Sequence, residues 1–66
     1  MEQDVEARDE AFMRACHDGY AALAERLLDA GVSIGTANAY GSTALVIASR
    51  NNREACVHLL LARGAD

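Results

Sequence analysis

The property that most restricts what this chain can fold into is that it matches itself. Shifted by 33 positions, Ala11 falls on Ala44, Ala15 on Ala48, Ala22 on Ala55, Leu27 on Leu60, Leu28 on Leu61 and Gly31 on Gly64. The placement of these identities matters more than their number. Small residues coincide where two helices would approach closely, leucines coincide in a second helical stretch, and glycine coincides at its end. Phe12 with Leu45 and Ala24 with Val57 are conservative pairs, and Gly19 with Asn52 pairs two residues able to take positive φ at a turn. A period of this length marks stacked units, each of which hides its apolar side only against a neighbour.

The later copy predicts two short helices. Thr43 is an N-cap candidate whose hydroxyl can accept from one of the amides that the first helical turn leaves unpaired, and Ala44-Leu45-Val46-Ile47-Ala48 follows it. Asn51-Asn52 ends this helix, since Asn tolerates the left-handed conformation that reverses the chain. A second helix runs from Glu54 to about Arg63 and carries Ala55, Cys56, Val57, Leu59, Leu60 and Leu61, an apolar surface wide enough to require burial on several sides. Gly64 closes it, with Arg63 beside the negative end of the helix dipole. In the earlier copy, Ala11 to about Ser33, Tyr20 opens the second helix and is read as structural. Residues Glu2 to Asp9 are charged helix formers, so the first helix can begin before Ala11.

Two antiparallel helices per 33 residues, with Thr, a small residue and Leu, then Ala, a leucine run and Gly64-Ala65-Asp66, resemble the ankyrin repeat. Thr43-Ala44-Leu45-Val46 stands where that family usually has Thr-Pro-Leu-His. Ala44 replaces the helix-starting Pro, and Val46 removes the histidine that normally bonds to neighbouring loops. The first unit lacks the Thr-Pro-Leu-His element and is similar to an N-terminal capping repeat. Its Arg14 and Arg26 occupy the places of Ile47 and Leu59, which gives it the wet outer face that a terminal repeat needs. The resemblance implies an all-α solenoid of two helix-turn-helix units with a hairpin-like loop between them. Residues 1–8 are expected to form an acidic N-terminal extension, 9–37 the capping repeat and 38–66 the second repeat.

Size and charge narrow the function classes. Sixty-six residues allow one small domain, too small to be comfortably stable without further support. A hydrophobic fraction of 52% argues for a folded chain, yet Phe12, Tyr20 and Tyr40 are its only aromatics, so alanine and leucine do the packing. The formal charge of −4 offers nucleic acid or an anionic membrane no attraction, and mildly favours basic partners. MEQDVEARDE lacks the basic start and apolar run of a signal peptide, and two cysteines do not make a secreted disulfide framework. These features read as a soluble, intracellular chain, cytoplasmic or nuclear.

The loop Ile34-Gly35-Thr36-Ala37-Asn38-Ala39-Tyr40-Gly41 is the expected working surface, because turn-forming residues carried on packed helices present side chains without costing the core. The resemblance implies a protein-interaction module that holds its target along loop tips and the concave face of the first helix of each repeat. Those positions are Ala39, Tyr40, Ser42, Arg50 and Asn51, with His17 and Asp18 in the first unit. Tyr40 either anchors a partner or packs on the neighbouring loop; Arg50 either pairs with an acidic group or is solvated.

Cys16, His17, Cys56 and His58 invite a zinc reading, but adjacent residues on a helix diverge by about 100° and Cys56-x-His58 also point apart. Core cysteines with surface histidines fit the spacing better, so no metal and no cofactor is expected. Neither is catalysis, since a cysteine nucleophile needs a pocket, a base with an orienting third group and an oxyanion site. Two readings stand beside the interaction module. In one, the chain is a self-associating piece joined through Leu59 on an uncapped C-terminal face. In the other, it is a regulatory or targeting appendage of a longer protein or enzyme.

Overall fold

The computed structural model describes residues 2–65, with side chains from residue 8 onward. Asp66, the end of the Gly-Ala-Asp match, lies outside the described residues. Four helices follow in order: α1 (Glu2–Asp18), α2 (Ala21–Asp29), α3 (Ala44–Arg50) and α4 (Glu54–Ala62). The fold is the all-α arrangement of two helix-turn-helix layers. The first helix begins at Glu2, well ahead of Ala11, through a run of residues that favour helix.

The 33-residue period is written into the turn hydrogen bonds. After α1 the Tyr20 amide donates to the Ala15 carbonyl at 2.8 Å, and after α3 the Arg53 amide donates to the Ala48 carbonyl at the same distance. After α2 the Val32 amide donates to Leu27 at 3.1 Å, and after α4 the Ala65 amide donates to Leu60 at 2.9 Å. Each bond closes a helix end around a residue of positive φ: Gly19 at +88° and Asn52 at +59° between the helices of a layer, Gly31 at +107° and Gly64 at +93° after the second helices. Thr43 caps α3 as expected, although its hydroxyl lies 3.5 Å from the Val46 amide, a long bond.

α1 packs on α2 within its layer and on α3 across the layers; α4 packs on α3 and α2 in the same way. Ala15, Ala24, Ala44 and Ala48 line these contacts, and their small side chains let the backbones close up while Phe12, Leu60, Cys16 and Cys56 fill the space between. Full burial of Phe12 or Leu60 is worth about 1.5–3 kcal/mol each. Phe12 and Leu45 are equivalent in the repeat yet differ in cover. Phe12 is sealed by the second layer, whereas Leu45 lies at the far side of that layer and is only half-buried. Arg14 and Arg26 are exposed, while their counterparts Ile47 and Leu59 are buried and half-buried.

Two arginines tie the layers together. The Arg53 Nε–H donates to the His17 carbonyl at 2.9 Å, covering an orphan acceptor at the end of α1. Arg63 reaches away from its own helix end, where the dipole argument put it. Its Nη2 donates to Asp29 Oδ1 at 2.9 Å and Glu25 Oε2 at 3.3 Å, both on α2. The carboxylates win because they carry full charges, against the fraction of a charge at a helix terminus.

Candidate functional site

The segment between the layers folds back on itself as a short finger. Ala37 and Thr43 form a single antiparallel bridge, and the Asn38 amide donates to the Ser42 carbonyl at 2.9 Å. Asn38 organises the tip. Its Oδ1 accepts from the Tyr40 amide at 2.9 Å and from the Ser42 amide at 3.0 Å, and its carbonyl accepts from the Gly41 amide at 3.0 Å. Gly41, at φ +81°, supplies the left-handed residue that the turn requires. With its backbone held from both sides, the tip presents Tyr40 to solvent at 92% exposure.

Beside the finger runs a groove floored by α1 and α3. Met13, Arg14, His17 and Asp18 line it from α1, Ile47, Arg50 and Asn51 from α3, and Asn38 and Tyr40 from the finger. The repeat offset generates both walls: Arg14 is the counterpart of Ile47, His17 of Arg50 and Asp18 of Asn51. The groove extends past Met13, Arg14 and Asn38 to Asp9, Glu10, Ala11, Thr36, Ala37 and Ala39. His17 Nδ1 and Asp18 Oδ1 are 2.9 Å apart at the surface, and Arg50 donates from Nη2 to Ser42 Oγ at 3.4 Å.

Of the residues singled out in the sequence, Tyr40, Arg50, Asn51, His17 and Asp18 meet at this groove, and Ala39 lines its extension. Ser42 does not present itself to a partner. At 9% exposure it is nearly buried, and its amide and hydroxyl brace Asn38 and Arg50, so it shapes the finger. Tyr20, read as structural, is 61% exposed; its structural part is the backbone amide on Ala15. Leu59 packs partly against the core, and α4 leaves Leu61 uncovered at 53% instead. Asn38, Met13, Arg14 and Ile47 were not singled out. The three helical positions follow from stepping three and four residues along α1 and α3 from His17 and Arg50.

The cysteines are far from this surface in character. Cys16 and Cys56 are both fully buried free thiols in the contact between layers, and the Cys56 thiol sits 3.9 Å from the Ala15 carbonyl. Burial, reinforced by the neighbouring Cys56, pushes the Cys16 thiol up to about 12; burial raises Cys56 as well. Neither is a ready nucleophile. His58 lies exposed on the outer side near Ser49, Asn52 and Val57, apart from both cysteines' core and from His17. Among the described residues, no group of three or more His, Cys, Asp or Glu is placed to hold a metal ion, and no helix is long and apolar enough to cross a membrane.

The family model for ankyrin repeats (3 copies) matches residues 1–66, the whole chain. The chain belongs to the ankyrin repeat family. Among curated relatives, "Ankyrin repeat, SAM and basic leucine zipper domain-containing protein 1" of Ovis aries is 42% identical over 62 residues, covering 94% of this chain and 13% of the relative. The Bos taurus protein of that name gives the same figures, and the Equus caballus one is 41% identical over 61 residues. This ankyrin chain thus spans about an eighth of the length of the relatives it matches. No solved structure matches it at a significant level. Ankyrin repeats are in general a non-enzymatic fold for protein–protein interaction, and the groove and finger described above lie where stacked repeats carry exposed side chains.

Proposed function

We propose that this chain is a protein-binding module whose target lies along the concave groove, with Tyr40 as the anchor at the finger tip and Arg50, Asn51, His17, Asp18 and Ala39 around it. One observation carries the reading: a tyrosine almost wholly exposed on a tip whose backbone is fixed by four bonds with Asn38. A large apolar ring with a hydroxyl, held in place before binding, loses little freedom when it is covered, which is what makes such residues dominate interfaces. Arg50 is likewise positioned by Ser42. The test begins with a photo-crosslinking amino acid at position 40, used to identify the captured protein in cells. Binding of that purified partner is then measured with Tyr40→Ala and Arg50→Ala. Tyr40→Ala is expected to weaken it by about 2 kcal/mol or more with helicity unchanged; undiminished binding by the double variant would show that another surface is used.

A second reading, self-association, is supported by Leu61. On α4 it is 53% exposed and stands four residues after the half-buried Val57, so the two put an apolar stripe along one face of that helix. A second copy covering that stripe would be dissociated by Leu61→Glu. Sedimentation that gives one mass for both chains over a wide concentration range would dismiss it.

A further inference from the structure

The groove is not electrically uniform, and the charge of one section of it runs opposite to that of the chain as a whole. Although the formal charge of the chain is −4, the section beneath Tyr40 contains two arginines, Arg14 from α1 and Arg50 from α3. Its carboxylate, Asp18, is engaged by His17 at 2.9 Å. Neither arginine makes an ion pair among the described residues; Arg50 donates only to the Ser42 hydroxyl. One turn back along α1 the sign changes, where Asp9 and Glu10 line the extension of the groove with Thr36, Ala37 and Ala39. Met13 and Ile47 give the cationic section an apolar floor.

Resting on the reading that the groove binds protein, we propose that it selects an extended segment of fixed polarity, with an acidic side chain between Arg14 and Arg50 and a basic one against Asp9 and Glu10. The spacing follows from the helix. Four residues of α1 separate Glu10 from Arg14, about 6 Å at 1.5 Å per residue, and an extended chain advances about 3.3 Å per residue. The two charges of the ligand are therefore about two residues apart, which puts both side chains on the face of the extended segment that is turned to the groove. Reversing the segment places like charges together at both ends, so the groove discriminates by repulsion as well as by attraction. The preference for basic partners that net charge implies is thus confined to one end of the site.

The experiment is selection from a library of displayed twelve-residue peptides on the 66-residue chain, followed by affinity measurement on an enriched peptide at low and high salt. Wild type is expected to enrich Asp or Glu about two residues from Lys or Arg. An exposed ion pair is worth about two- to fivefold in affinity, so R14E/R50E should weaken the selected peptide about tenfold or more, and a peptide with Lys in place of its acidic residue should recover the loss. D9K/E10K should act in the same way on the basic end. The neutral pair R14Q/R50Q serves if charge reversal impairs folding, which circular dichroism monitors. Peptides enriched without an acidic residue, or equally by wild type and R14E/R50E, overturn the inference, as does a selection that enriches nothing. Tyr40→Ala separates this failure from a wider one: if it abolishes binding while charge reversal does nothing, the groove still binds protein and only the polarity is wrong. If neither changes binding, both readings fall.

Discussion

Replacing Gly19 by alanine tests how the two layers are fastened. Gly19 has φ +88°, and a Cβ built on it would lie 3.0 Å from Arg53 Cδ, a tight contact that the arginine side chain relieves only by shifting a few tenths of an ångström. Gly31, at φ +107°, has nothing within 4 Å of the same construction, so it serves as the matched control for backbone strain alone. Putting a Cβ at such φ costs about 1–2 kcal/mol, offset in part by the reduced freedom of the unfolded chain. Gly31→Ala should therefore destabilise by about 1 kcal/mol. Gly19→Ala carries that cost and must also push Arg53 aside, which strains the bond from its Nε–H to the His17 carbonyl; losing that bond is worth about another 1 kcal/mol. Arg53→Ala alone should cost about 1 kcal/mol, but it removes the obstacle. The double variant Gly19→Ala/Arg53→Ala is then expected near 2 kcal/mol, about 1 kcal/mol less than the sum of its singles. Urea unfolding followed by far-UV circular dichroism gives the four free energies, with an osmolyte added if a variant is too weak to show a folded baseline. Equal losses for Gly19→Ala and Gly31→Ala, or additivity in the double variant to within about 0.3 kcal/mol, would refute the claim that Arg53 fastens the first layer to the second.

Two further outcomes follow from the core. Leu60→Ala empties a fully buried site at the centre of the helix contacts, at a cost of about 2–5 kcal/mol that a domain of this size cannot absorb, so its helical signal should be lost at 25 °C; a cooperative melt close to wild type would count against the packing described. The Cys16 thiol holds its proton up to about 12 when folded, against an ordinary value of 9.0, so above pH 9 the unfolded chain binds fewer protons than the folded one. Stability should be independent of this group below pH 9 and fall between pH 9 and 12, by about 1.4 kcal/mol per pH unit at most. Alkylation of both thiols should track global unfolding in denaturant, and labelling of Cys16 or Cys56 at the rate of a free thiol in native buffer would contradict their burial.

Which parts of this molecule were legible in its sequence follows from what each part depends on. The repeat, the helix ends and the alanine-lined contacts depend on residue type at fixed spacing, and 33-residue self-similarity records all three. Thr43, Asn52, Gly31 and Gly64 could be placed because each answers a local backbone need. Side-chain partners were less legible, because they depend on what lies across the layer. Arg63 was assigned to its own helix end and instead crosses to Asp29 and Glu25, while Ser42 was assigned to a partner and instead braces the finger. Exposure within the Leu59-Leu60-Leu61 run was illegible for a similar reason. Three consecutive leucines point in three directions, and only the position of α2 and α3 decides that Leu60 is sealed, Leu59 half-covered and Leu61 bare. Asn38 was passed over as one loop residue among several, although a side-chain oxygen that can accept from amides two and four residues ahead is a local signal.

The same offset that builds the core also divides labour along each inner helix. On α1, Phe12, Ala15 and Cys16 face the second layer, and Arg14, His17 and Asp18 face the groove; on α3, Ala44 and Ala48 are sealed, and Arg50 and Asn51 face the groove. The sealed core and the exposed groove therefore draw on different positions of one helical period. A change at Arg14 or Arg50 alters the charge of the groove without opening a cavity, whereas enlarging Ala15 or Ala48 would force the layers apart at a cost of about 1–3 kcal/mol. Ile47 is the exception, since it lines the groove and is also nearly buried. Its counterpart in the first layer is Arg14, so the groove has one apolar wall and one charged wall at the same height. That asymmetry is what the two repeats do not share, and it distinguishes one wall of the groove from the other, as Asp9 and Glu10 against Arg14 and Arg50 distinguish its ends.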